Sequence, residues 1–545
     1  MKKALPIGVS NYKKLREKDY YVVDKSKMIE EFIERKNEVT LITRPRRFGK
    51  TLNMSMMAEF FDVTKDSKDI FEGTYILESE YVSYMNHYPT IFLSFANAKG
   101  SAYSISECIK DEIGKQYQKY KHVLSEIEDE YDMNKYQRIF SILKEVDETH
   151  VKGIAQALVF LMDQLYKYYG KRVMVFIDEY DTPFIEAHVN GCYEEIKGEL
   201  SLMLHNALKT SNSLQYAMMT GIQRVAKENI FSGLNNVFVC TMKDKEYAPY
   251  FGFTEEETKE LLEYYELDLY DGVKQMYDGY CIGEVDIYNP WSIVNYATRK
   301  SLQPYWVNTS ANMMIKQAMK QSDPSFQRGY EQLIEQGYLQ TIVKLETSFY
   351  EASSTESLWG LFVNAGYVTI TKTVSEKLGV YEIRIPNEEV QEEFRSLTSQ
   401  YLQISETELT QLAFALQYNQ KEVFKEIYKN LLLSVPSYYD LVSENSYHMF
   451  LMGICTWLRG DYEIESNKEV GKGRCDIILK SKNEGYPSYI IELKYEKEAS
   501  DLKELAKEAI KQIQEKQYGV NMKGNVIYIG MAHYHKDVDI EWYSL

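Results

Sequence analysis

The stretch VTLITRPRRFGKTLNMSMMAEFF, Val39 to Phe61, constrains the fold more than any other part of the 545-residue chain. A β-branched apolar run ends in Gly49-Lys50-Thr51, and a helical pattern follows at once. A loop so placed binds phosphate through successive backbone N–H groups and the N-terminus of the following helix. In the pattern G-x-x-x-x-G-K-[ST] the lysine reaches the β and γ phosphates and the hydroxyl helps hold Mg²⁺. Arg44 stands here at the place of the first glycine. That glycine serves turn geometry, so arginine is tolerated there if the backbone stays at negative φ, which Pro45 favours by holding the residue before it extended. The bland alternative is a basic helix start that binds nothing.

A second motif argues against that alternative. RVMVFIDEYDTP sets Asp178 and Glu179 directly after an apolar run, where an NTPase places the acid that holds Mg²⁺ and a glutamate that polarises the attacking water. Isolated carboxylates at such a place are usually surface caps, but these follow a Gly-Lys-Thr within one α/β pattern. EVTLIT, TIFLSF, RVMVFI and QYAMMT read as continuous apolar strands covered by helices on both faces, with the segment from Ser101 to Tyr169 helical. The QYAMMT run ends in Thr220 and Gly221, where a polar group would sense the γ phosphate, and Arg224 is a weaker candidate for charge stabilisation.

The formal net charge of -18 excludes a protein held on nucleic acid by overall positive charge, so any such contact is local. Arg44, Arg46 and Arg47, or Lys468, Lys472 and Arg474, would supply it unless they bind ATP or stay solvated. Six scattered cysteines without a C-x-x-C pair, no signal-peptide core and no apolar run of membrane-spanning length lead to the expectation of a reduced, cytoplasmic protein without a membrane partner.

Near the C-terminus, GRCDIILKSKNEGYPSYIIELKYEK reads as two strands joined by a polar turn. Glu492 and Lys494, two apart, share one face, and Asp476 on the first strand can lie beside them. Two carboxylates offer oxygen ligands to Mg²⁺, while the ammonium positions water or balances developing charge. The following helical pattern opens at Asp501 with Glu504 in capping-box spacing and carries Gln512 and Lys516 on one face. For E-x-K alone, a solvated surface pair is the commoner explanation. His448, His533 and His535 lack the companions a zinc site needs and receive no role.

Together, RPRRFGKT, FIDEYDTP, TGIQRVAKENIFSGLNN, MYDGYCIG and YNPW resemble the bacterial AAA-ATPase-like family that is commonly joined to a C-terminal nuclease-like domain, in which arginine recurs at the first-glycine place. The C-terminal stretch resembles the PD-(D/E)XK nuclease superfamily. These resemblances imply an α/β architecture: a P-loop NTPase-type parallel-sheet domain over residues 1–300, a mostly helical middle region over 301–433 and a restriction-endonuclease-like domain over 434–545. They imply ATP contacts at Arg44, Arg46, Arg47, Phe48, Gly49, Lys50, Thr51, Asp178 and Thr220, with Glu179 catalytic and Mg²⁺ on Thr51 and Asp178. They also imply a nuclease centre of Asp476, Glu492, Lys494 and Gln512, with metal on the two acids and Glu444, Glu465 or Glu469 as an additional acid. The expected cofactors are ATP and Mg²⁺, DNA is the favoured substrate, and a homo-oligomer is among the expected assemblies. The competing expectation is a nucleotide-dependent switch or scaffold that binds protein or DNA without cutting.

Overall fold

The apolar runs form the expected strands: Val39–Thr43 (β1), Thr90–Ser94 (β2), Val173–Asp178 (β3) and Leu214–Gly221 (β4). Val237–Cys240 (β5), four residues long, completes an all-parallel sheet in the order β2-β3-β4-β1-β5. The computed structural model describes residues 2–144, 153–224, 236–306, 315, 318–319, 323–346, 354–402, 405–434, 444–458, 460–496, 501–520, 522 and 524–544. The loop after Arg224 and the proline-marked boundary near residue 436 lie outside them.

Strand alternation assigns the two faces of this sheet. Val39, Leu41, Val173, Val175, Ile177, Ala217 and Met219 pack with the helices Ala102–Lys119, Ala157–Tyr169 and Tyr193–Leu208. Ile42, Met174, Phe176 and Met218 pack on the opposite side with Met54, Met57, Phe60 and Phe61 of the helix Lys50–Phe61 (α1). Nearly every side chain of α1 is buried, which explains its apolar composition on all sides. By the same alternation, Ser94, Asp178 and Thr220 at the ends of three neighbouring strands share the α1 face.

The chain forms two compact units: Met1–Ile315 with Gln340–Val390, and Lys316–Leu339 with Gln391–Leu545. The segment 340–390 joins the first unit for a local reason. Tyr280 and Cys281, on a two-stranded ladder of Tyr280–Ile282 (β6) and Val285–Ile287 (β7), bond to the Gly366 carbonyl (3.0 Å) and the Thr369 hydroxyl (2.9 Å). The middle region holds helices and a small sheet in the order β8-β10-β9, from Tyr338–Ile342 (β8), Thr369–Ser375 (β9) and Val380–Arg384 (β10).

The second unit carries a five-stranded sheet in sequence order: Tyr462–Val470 (β11), Gly473–Ser481 (β12), Ser488–Tyr495 (β13), Val526–Tyr534 (β14) and Asp537–Ser544 (β15). Only β13 and β14 run parallel, joined by the helix Leu502–Glu515 (α2). Asp501 caps α2 by accepting the N–H groups of Lys503 and Glu504, and Ala506, Ala509, Ile510 and Ile513 form its buried stripe. On the other sheet face, Ile477, Leu479, Ile491 and Leu493 pack with residues of the helices Glu406–Gln417, Lys421–Ser434 and Glu444–Cys455. Among the described residues no helix is long and apolar enough to cross a membrane.

Candidate functional sites

Gly49 caps α1 at φ +81°, ψ 11°, a left-handed conformation that turns the loop into the helix without a Cβ penalty. Lys50 is buried and its Nζ donates to the carbonyls of Arg44 (3.0 Å) and Pro45 (2.8 Å), folding the ammonium back across the loop. Burial lowers its pKa, opposed by the nearby carboxylates Glu179, Asp178 and Asp181. Thr51 Oγ1 and Thr220 Oγ1 each donate at 2.8 Å to one oxygen of Asp178, and Ser94 Oγ adds a longer bond at 3.3 Å. Burial raises the Asp178 pKa and adjacent Glu179 adds to the rise, while the two threonine hydroxyls and Lys50 oppose it. The hydroxyl of Thr51 beside a carboxylate oxygen is a hard-oxygen donor pair suited to Mg²⁺.

A cleft of about 560 Å³ opens over this loop. Arg46, Arg47, Lys50, Thr51 and Glu179 line its polar part, and Tyr21, Val23, Phe253, Leu261, Trp291 and Val294 line an apolar part. Glu179 sits at φ +51°, uncommon for a residue with a Cβ, and its carboxylate accepts from Thr182 Oγ1 at 3.1 Å.

Three sequence assignments change. The Arg44 side chain is not in the cleft: it is fully buried, with Nη1 donating to the carbonyls of Thr43 (2.9 Å), Cys240 (3.1 Å) and Thr241 (2.7 Å) and Nη2 to Glu246 (3.3 Å). Burial pulls its pKa down to about 10, so it stays charged near neutrality. Thr220, on β4 between β1 and β3, donates to Asp178 and is not part of the cleft lining. Arg224 forms an ion pair with Glu346 and is not part of the cleft lining. Phe48 is buried edge-on against Tyr280, with ring centroids 4.9 Å apart, and anchors the loop by packing.

Asp181 was missed in the sequence, although it lies inside FIDEYDTP. It is buried, and its Oδ2 accepts the N–H groups of Ile222 (2.8 Å) and Gln223 (3.0 Å), fixing the chain as it leaves β4. Burial raises its pKa to about 6, and those two bonds oppose the rise. No local pattern announces such a cross-strand partner.

In the second unit, β12 and β13 pair only as far as Ile477 opposite Ile491. Where the ladder would continue, Asp476 Oδ2 accepts the N–H of Leu493 at 2.7 Å, so the side chain takes over a backbone bond and lies beside Glu492 and Lys494. Gln512 on α2 donates through Nε2 to Glu492 and accepts from Lys494 Nζ at 2.6 Å; Lys494 Nζ is 3.8 Å from Glu492. Burial raises the Asp476 pKa, while the Leu493 N–H and the charges of Lys494 and Arg474 hold it down. All four sequence-selected residues therefore meet in one cluster.

Among the described residues no group of three or more His, Cys, Asp and Glu is arranged to hold a metal ion. A divalent ion here would rest on Asp476 and Glu492 together with water or substrate oxygens, as Mg²⁺ accepts. Glu465 pairs with Lys480 at 2.7 Å and Glu469 lies opposite Arg474 on the β11–β12 ladder. The Glu444 and Lys468 side chains lie outside the described ones. His448, set aside in the sequence, has its Nε2 2.9 Å from Ser466 Oγ and 3.3 Å from the Asp476 carbonyl.

Comparison with known proteins finds two family matches in separate stretches of the chain. Residues 6–231 match the family model described as predicted AAA-ATPase, and residues 442–543 match that of the PD-(D/E)XK nuclease superfamily. The chain is 27% identical over 399 residues, covering 71% of this chain and 68% of the relative, to an uncharacterized protein in the vnfD 5′ region of Azotobacter chroococcum mcd 1. A crystal structure of a Signal Transduction ATPase with Numerous Domains protein with a tetratricopeptide repeat sensor, from Pyrococcus horikoshii, aligns with 81% of this chain at 11% identity and a TM-score of 0.23. The chain spans 58% of that structure. Residues 6–231 are thus similar to the predicted AAA-ATPase family and residues 442–543 to the PD-(D/E)XK nuclease superfamily.

Proposed function

We propose that this protein binds and hydrolyses ATP at the Gly49–Thr51 loop and that the nucleotide controls a Mg²⁺-dependent nuclease centred on Asp476, Glu492, Lys494 and Gln512, with DNA as the favoured substrate. The observation that carries the reading is the closed cluster of Lys494, Gln512 and Glu492 beside Asp476, since such a set of hydrogen bonds pre-organises charged groups before substrate arrives. A divalent ion on Asp476 and Glu492 would polarise the phosphodiester and supply a hydroxide-like nucleophile. Lys494 then stands near the developing negative charge, and Gln512 fixes the orientation of both Lys494 and Glu492.

At the other site the apolar lining of the cleft suits a nucleobase, and its Lys50, Arg46 and Arg47 suit phosphates. Glu179, in the polar lining of the cleft, would orient the attacking water. All six cysteines are free, consistent with a reducing, cytoplasmic setting.

The test is cleavage of linear DNA, circular DNA and RNA with and without Mg²⁺ and ATP. Wild type is expected to cut DNA only with Mg²⁺. Asp476→Ala and Lys494→Ala should each lose at least about a hundredfold in rate, and Lys50→Ala should lose ATP binding and the effect of ATP on cutting. ATP turnover by a wild type that cuts no nucleic acid would replace this reading with the nucleotide-dependent switch.

A further inference from the structure

Arg47 is an unusual residue for its backbone. It lies in the loop at φ +69°, where glycine is relaxed and a side chain costs on the order of 1 kcal/mol. Its guanidinium lies 4.2 Å over the Trp291 ring, and Nη1 donates to the Tyr305 carbonyl at 3.4 Å. Trp291 Nε1 donates to the same carbonyl at 2.9 Å. The seat of Arg47 thus has two parts, one at the start of the helix Pro290–Arg299 and one in the irregular segment that follows it.

A single carboxylate holds both parts. Glu389 is only 1% exposed, and its Oε1 accepts the N–H groups of Tyr305 (2.5 Å) and Trp306 (2.7 Å). Ser292, the neighbour of Trp291, donates its hydroxyl to the same carboxylate at 2.8 Å. An uncharged acceptor would satisfy these three donors without the desolvation cost of a buried anion. Arg47 and Glu389 both bond to the Tyr305 backbone, and their charges act on each other: Glu389 opposes the burial-driven lowering of the Arg47 pKa, and Arg47 opposes the burial-driven raising of Glu389 to about 7.

We propose that Glu389 is a positioning residue for the nucleotide: through Ser292 and the Tyr305–Trp306 backbone it builds the seat that aims Arg47 at the terminal phosphate of a bound nucleoside triphosphate. The assignment rests on the nucleotide reading of the cleft and adds to it the residue that sets discrimination between tri- and diphosphate.

The experiment is calorimetric titration of the full chain with ATP and with ADP. Arg47→Ala is expected to reduce the preference for ATP over ADP about tenfold, and Glu389→Ala to reduce it by a similar factor while ADP affinity stays within about twofold. The double variant should lose no more than either alone, because the two residues act as one unit. Glu389→Gln keeps an acceptor for all three donors but not the charge, so it should lose part of the preference without unfolding, and it decides the matter if Glu389→Ala does not fold. Equal losses for ATP and ADP in the Glu389 variants, or losses that multiply with Arg47→Ala, would overturn the assignment while leaving the nucleotide site standing. A wild type that binds neither nucleotide would overturn both.

Discussion

Arg44 takes the place of the usual first glycine without needing its backbone freedom, whereas Arg47, at a place where the pattern asks for no glycine, takes a glycine-favoured conformation. Arg44 is absent from the positive-φ residues, so its position never required glycine, and its guanidinium instead ties the end of β1 to carbonyls beyond β5. Arg44→Gly would restore the general phosphate-loop pattern, yet it removes a buried hub and leaves its carbonyl partners short of a donor. The expected outcome is a loss of about 3 kcal/mol in unfolding free energy, read from denaturant midpoints; an unchanged midpoint would show that the hub is idle. Lys50, Thr51 and Asp178 were legible because their chemistry follows from short spacings around strand ends. Thr220 was half legible: its strand and its end were read correctly, but the partner of its hydroxyl depends on strand order, which adjacent residues do not encode. Glu389 was invisible, since more than three hundred residues separate it from the loop it serves.

For whole elements, the placement of α2 decides the nuclease cluster. A Cβ built on Gly530 of β14 would lie 2.1 Å from the Ala506 carbonyl of α2, so the helix packs against backbone that carries no side chain. Gly530→Ala should therefore push α2 outward at a cost of about 1–3 kcal/mol and pull Gln512 away from Glu492 and Lys494. A displacement of that kind is expected to lower cleavage about a hundredfold while Asp476, Glu492 and Lys494 remain in the chain. Unfolding curves and cleavage rates of the same preparation check this, and full activity in the variant would show that Gln512 is dispensable. The sequence revealed α2 through its cap and amphipathic stripe, and β12 and β13 through apolar runs around a polar turn. It did not reveal β5, which is too short to rise above its surroundings.

At the scale of the whole molecule, the helix Pro324–Gln336 belongs by its contacts to the unit that holds the nuclease cluster, although the chain returns to the first unit for 340–390 before continuing. That helix packs on Glu444–Cys455 and β11, and Tyr330 stacks on Phe394 at 5.7 Å. A fragment comprising residues 391–545 alone should consequently unfold at lower denaturant than the same fragment supplied with 316–339 through a short linker; equal midpoints would show that the upstream helix contributes nothing. The interlacing also has a consequence for descent. A single crossover that hands the second unit to a new host complete must fall upstream of residue 316 and so carries the first unit's segment 340–390 along, while a junction at 391 obliges the recipient to rebuild the missing helix from whatever precedes it.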